Sequence, residues 1–268
     1  MLGYLLRRVL WFVPVLWFVA TVTFFLMHAT PGGPFDDEGA RTSVRARNLE
    51  AKYGLDRPLV EQYGIFLDHA VRGDLGISFQ FQDRAVTEVI GDGLGTTATL
   101  GLLSAAYALV VGVALGVACA LYQDRWPDYL GVLFATLGAS VPSFVLGVFL
   151  VTIFSLELGW TPVVGWGSPG QAVLPVITLG SLSAAFIARV TRASVIEVVR
   201  QDFVRSARAR GLHERTIVTR HILRNALIPV LTLAGPITAG LVTGSFIVEQ
   251  FFAIPGDRAS IRSGGAGA

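Results

Sequence analysis

Cysteine and lysine are almost missing from this 268-residue chain, and charge of either sign is scarce. The one cysteine, Cys119, lies inside an apolar run, so no intrachain disulfide, cysteine-based metal site or redox pair can form. Lys52 is the single lysine among 21 basic residues, and no GxxxxGK[ST] surrounds it. A P-loop needs that lysine against the phosphates, so the chain does not hold ATP in this way. HExxH and GxSxG are also absent, and His28, His69, His213 and His221 stand at no metal-ligand spacing. No catalytic, cofactor or metal site is assigned, and the chain is not read as an enzyme.

Charged residues make up 15% of the chain, against about 25% in an ordinary soluble domain. With 53% hydrophobic residues and a mean hydropathy of +0.61, this is the composition of an integral membrane protein. The net charge of +2 and pI of 8.9 do not point to nucleic acid, because the basic excess sits in loops flanking apolar segments.

Five apolar segments are long enough to span a bilayer, at roughly 9–29, 97–121, 131–155, 172–190 and 227–250. Each must be a helix, since an open strand would leave its backbone groups unpaired in lipid. The expected fold is therefore all-α, a polytopic helical bundle with an extracytoplasmic loop domain after the first helix. Pro14, Pro142, Pro175, Pro229 and Pro236 predict kinks, and the Gly112–Gly116 spacing predicts close helix packing. In the loop after the first segment, Ser43–Tyr53 and Leu59–Val71 have helical character, the second starting at Pro58. The second and third segments contain no ionisable residue, whereas an ion-coupled carrier would need one. Glu249, at the end of the fifth segment, reads as an interfacial carboxylate facing water or a neighbouring helix.

The charges that remain are concentrated. Nine arginines lie between Arg189 and Arg224, opposed by Glu197, Asp202 and Glu214. Leu158–Ala188 before them and Asn225–Val248 after them carry no charge. Short arginine-rich loops are retained in the cytoplasm, and Arg7 with Arg8 place the N-terminus on the same side. That topology puts Thr30–Thr96, including Glu50, outside. Within the loop, Ala207 and Ala209 leave room for a partner surface, Gly211 permits a turn, and Arg205, Arg208 and Arg210 offer hydrogen bonds to acidic groups.

Asp202–Gly211, with His221, Asn225, Ala226 and Pro229, resembles the cytoplasmic coupling loop of ABC importer permeases. The broad motif there is Glu-Ala-Ala, three residues, then Gly. Here Arg205 and Ser206 replace the first two positions, while Ala207 and Gly211 match. The departure is similar to the dipeptide, oligopeptide and nickel subfamily, R-[ST]-A-R-A-[KR]-G-L followed by H-x-x-x-N-A-x-x-P. Met1–Gly33, Tyr53–Ser78 and Gly244–Gly256 resemble that subfamily too, so the likeness covers residues 1–256.

The resemblance implies a permease subunit forming half of a pathway for peptides or related small solutes, in a bacterial or archaeal cytoplasmic membrane. It implies a second homologous permease, two ATPase subunits that bind the ATP and magnesium, and an extracytoplasmic solute-binding protein. It assigns ATPase coupling to Arg205, Ser206, Ala207, Arg208, Ala209, Arg210, Gly211, Leu212, His221, Asn225 and Pro229. The implied organisation is a first helix and cap over 1–96, a transmembrane domain over 97–256 with the coupling loop near 191–226, and a tail over 257–268. Members of the family have six spans. Asp257–Ala268 is too polar to be the sixth, and a disordered tail from a truncated or shifted reading frame is expected. A scaffold subunit or an inactive truncated permease is the alternative that this tail leaves open. A secondary transporter is a further one, lacking its usual intramembrane charges and inverted repeats.

Overall fold

The computed structural model describes residues 2–29, 57–76, 78, 84–244 and 246–254. The helical stretch expected over Ser43–Tyr53 and the tail over 257–268 lie outside them. Among the described residues the regular structure is helical: α1 (Leu2–Ala29), α2 (Leu59–Val71), α3 (Val86–Leu121), α4 (Trp126–Ser140), α5 (Ser143–Glu157), α6 (Pro169–Val199), α7 (Asp202–Ala209), α8 (Glu214–Ala226), α9 (Ile228–Val242) and α10 (Phe246–Phe251). Three of them (Leu6–Ala29, α3 and α6) are long and apolar enough to cross a membrane, and the bent pairs α4/α5 and α8/α9 raise the number to five.

The chain divides into two compact units, residues 1–89 and 90–268, with the division inside α3. In the first unit, α1 leaves its apolar side chains from Leu10 to Val19 exposed, as a lipid-facing helix does. Its last turns meet α2. Phe24 is buried with ring centroids 5.4 Å from both Tyr63 and Phe66. The Thr21 and Tyr63 hydroxyls share a 2.6 Å hydrogen bond, and His28 Nε2 lies 3.1 Å from Gln62 Oε1. Pro58 opens α2 because its fixed φ suits a helix start and its missing N–H costs nothing there.

In the second unit, α3 and α6 run parallel in backbone contact. A Cβ on Gly112 would lie 2.7 Å from the Ala184 carbonyl oxygen, and one on Gly116 would lie 2.5 Å from that of Ala188. The GxxxG spacing thus does what small residues do in membrane bundles, bringing one helix backbone onto another. Three apolar layers follow this pair from end to end. Leu100 and Leu174 meet Val248 of α10 and Phe252 just after it. Ala108, Ala184 and Ile187 meet Val230 of α9. At the C-terminal ends, Ala120 and Val195 meet Val204 and Ala207 of α7 and Ile217, Ile222 and Ala226 of α8.

Two expected single spans are broken. The third, 131–155, is divided between α4 and α5, whose axes differ by 112°. Val141 is extended (φ −88°, ψ 124°) because Pro142 disfavours helix in the residue before it and supplies no N–H. The fifth was expected to run to about Val248. It ends at Val242, and the chain turns through Gly244 (φ +79°) before α10. Gly244 also leaves space for its neighbours, since a Cβ there would lie 2.6 Å from Glu249 Oε1 and 2.5 Å from the Thr97 Cγ2 methyl. Glu249 is accordingly buried at 8% exposure and does not face water.

Candidate functional site

The arginine-rich segment folds as a short helix laid across the C-terminal ends of α3 and α6. Residues Arg200 and Gln201 separate α6 from α7. Alternation of residue type then sets which side faces the bundle. Val204 and Ala207, three apart on one face, are both at 0% exposure, packed on Val195, Ile217 and Ile222. Phe203, Arg205, Ser206, Arg208, Ala209 and Arg210 are exposed on the rest of the helix. This locates Ala207 differently from the sequence-based reading. Its small side chain allows close packing inside its own chain, whereas Ala209 remains open to a partner.

Gly211 ends α7 with φ +75°, a left-handed conformation that favours glycine. Its N–H donates to the Arg208 carbonyl at 2.9 Å, and the Leu212 N–H donates to the Ala207 carbonyl at 3.3 Å. A Cβ on Gly211 would meet nothing within 4 Å. The turn beyond it is clipped by a side-on ion pair, Arg208 Nη2 to Glu214 Oε1 at 2.6 Å and Nε to Oε2 at 3.3 Å. The hydrogen bond from Arg208 holds the Glu214 carboxyl below its ordinary range, and Glu214 in turn raises the Arg208 guanidinium further. Half-exposed pairs of this sort contribute about 0.2–1 kcal/mol. The clip therefore orders the turn more than it stabilises the fold.

Arg205 pairs loosely with Asp202 at 3.6 Å, and Arg210 Nε donates to the Ser206 carbonyl at 3.4 Å. The structure thus brings residues 205–212 together as one exposed crest, ending in Leu212. His221 and Asn225 lie on α8, where the Asn225 amide donates to the His221 carbonyl at 2.8 Å. Residues Ile217–Ile222 of that helix are π-helical. Pro229 lies in the first turn of α9, past a 53° bend.

Sequence reasoning missed one pair. Asp128, in the first turn of α4, is almost fully buried (3% of its side chain exposed) and accepts two hydrogen bonds from Arg192 of α6. Nε donates to Oδ1 at 2.6 Å and Nη2 to Oδ2 at 2.7 Å. The Asp124 N–H adds a third at 3.1 Å. Both charges border apolar segments, where they read as topology signals, and 64 residues separate them. Only an expectation that α4 and α6 are adjacent could have joined them.

Residues 112–267 match the family model described as binding-protein-dependent transport system inner membrane component. Residues 1–101 match that of the N-terminal region of such components. The first match runs past Gly256, where the sequence-based likeness stopped. The oligopeptide transport system permease protein OppB of Haemophilus influenzae is 41% identical over 259 residues, covering 96% of this chain and 84% of that protein. OppB of Salmonella typhimurium is 40% identical with the same coverage. The glutathione transport system permease protein GsiC of Shigella flexneri is 40% identical over 258 residues, again 96% and 84%.

Proposed function

Because this chain belongs to the family of binding-protein-dependent transport system inner membrane components, the non-enzymatic permease subunits of ATP-driven importers, we propose that the exposed crest of α7 is where a separate ATPase subunit seats. The observation that carries this reading is the two-sided burial of α7. Val204 and Ala207 root it in the bundle, while Phe203, Arg205, Ala209, Arg210 and Leu212 are left outward. Guanidinium groups beside exposed apolar side chains suit a groove with acidic rims and an apolar floor. His221, Asn225 and Pro229 support the crest through α8 and the start of α9. ATP-driven movement of the ATPases would press on α7 and, through the shared core, on α3 and α6.

In this reading the N-terminus and the α7 crest are cytoplasmic. Residues 1–96 form the first span and an extracytoplasmic cap, and 97–256 form the transmembrane domain with its coupling loop near 191–226. The solute is a peptide or a related small molecule, in keeping with the oligopeptide and glutathione systems named for the relatives. A second permease, two ATPases and a solute-binding protein complete the assembly.

The test is retention of the ATPase by the affinity-tagged chain, co-expressed with its partner subunits. Arg205→Glu together with Arg210→Glu reverses the crest without touching the buried face. The ATPase should be lost from the purified complex while the chain still inserts in the membrane. Undiminished retention by the reversed variant would overturn the docking surface.

A further inference from the structure

The Asp128–Arg192 pair does something that the docking crest alone does not explain. Asp128 starts α4, and Arg192 sits on α6 a short way before α7. The pair is side-on and two-pronged, and Asp128 is sealed from solvent while Arg192 is 28% exposed. Such geometry fixes distance and angle at once, which a single flexible contact does not. The same carboxylate accepts from the Asp124 N–H, and Asp124 is left-handed at φ +59°. One side chain therefore holds the α3–α4 turn in its unusual shape and anchors it to α6.

The surroundings show what the anchor joins. Residue 120 of α3 shares a core with Val195 of α6 and with Val204 and Ala207 of α7, so α3, α6 and α7 are already packed together. The helix α4 also lies along α6, from Asp128 to Gly138, where a Cβ would sit 3.5 Å from the Ala185 Cβ. No side chain caps its start, and its charged link to α6 there is Asp128. At its other end α4 gives way to α5 at the Val141–Pro142 break. Packing alone lets a helix slide or turn on its neighbour, and the two-pronged pair removes that freedom at the base of α4.

We propose that Asp128 and Arg192 are a positioning pair for the coupling step, making the base of α4 travel with α6 when the ATPase displaces α7. The pair touches neither solute nor nucleotide. It fixes the angle and register of the α4 base on α6 while force is delivered at the crest. The inference rests on α7 being the ATPase docking site.

The experiment uses the assembled transporter with cysteine-free partner subunits. Spin labels are placed at Trp126→Cys and Glu197→Cys in a Cys119→Ser background, and their separation is measured without nucleotide and with magnesium, ATP and orthovanadate. With the pair intact, the separation should stay narrow and equal in both states. In Asp128→Asn it should broaden or shift on trapping, with the ATPase still retained. Arg192→Lys keeps the charge but loses the two-pronged grip. It should behave like Asp128→Asn, and it carries the test alone if Asp128→Asn fails to accumulate. An unchanged, narrow separation in a variant that retains the ATPase would overturn the positioning role, because a contact serving stability alone would lower yield and leave that separation untouched. Failure of the unaltered chain to retain the ATPase would instead remove the docking reading, and this inference with it.

Discussion

Gly211 separates two kinds of damage that a substitution in the coupling turn can do. Its φ of +75° makes any L-residue pay a backbone penalty of about 1 kcal/mol. Nothing in its own chain stands within 4 Å of an added Cβ, so no clash is added to that penalty. Crowding at this turn would therefore come from a docked partner. We expect Gly211→Asp to melt close to the parent protein in detergent yet to release the ATPase. Gly211→Asn, which adds a side chain of the same size but no charge, should release it less. A Gly211→Asp chain that unfolds outright, or one that keeps the ATPase at parental level, would contradict this. The positive φ was readable from a glycine at that place in the loop. The inward turn of Ala207 was not, because an alanine fits a protein core and a protein interface equally well.

Between elements, α3 lies on α6 in close backbone contact. Valine at Gly112 or Gly116 would force the Ala184 and Ala188 carbonyls away, and overpacking of this sort costs about 1–3 kcal/mol. Gly95, on the same helix, has nothing within 4 Å, and alanine is the better helix former by roughly 1 kcal/mol. Thermal unfolding followed by reaction of the buried Cys119 thiol with a fluorogenic maleimide should separate them. Both valine variants should unfold earlier, and Gly95→Ala should match or exceed the parent. Equal melting of all three would mean that the helices do not touch. This contact was legible in the sequence because the small residues repeat at helical spacing. The 112° bend at Pro142 was legible as a kink but not in its size, since the angle depends on what the two halves pack against. The end of α9 at Val242 was hidden because Gly244 looks like any other membrane-helix glycine until the Glu249 carboxylate is found occupying its side-chain space.

For the whole molecule, the open question is which side of the membrane each end of the bundle faces. In a Cys119→Ser background, Glu214→Cys and Trp160→Cys place thiols at exposed positions beyond opposite ends of α6. An impermeant maleimide applied to intact cells should label Trp160→Cys and spare Glu214→Cys until the cells are opened. The reverse pattern would invert the topology. The expected direction was readable from the arginines clustered at Arg7 and Arg8 and again from Arg189 to Arg224. The Asp128–Arg192 bridge was not, because charges near membrane-helix ends serve both topology and packing, and sequence spacing cannot tell these apart.

The divided burial of α7 also bears on how such a subunit could change allegiance. Val204 and Ala207 answer to the fold, and the exposed side chains around them would answer to an ATPase docked as proposed. Substitutions at exposed Arg205, Ala209 or Arg210 would leave the buried face alone, so the identity of the acceptable ATPase could diverge after gene duplication at little cost in folding. Two related importers in one cell could thereby keep separate motors, or share one, by altering a few surface side chains on an eight-residue helix.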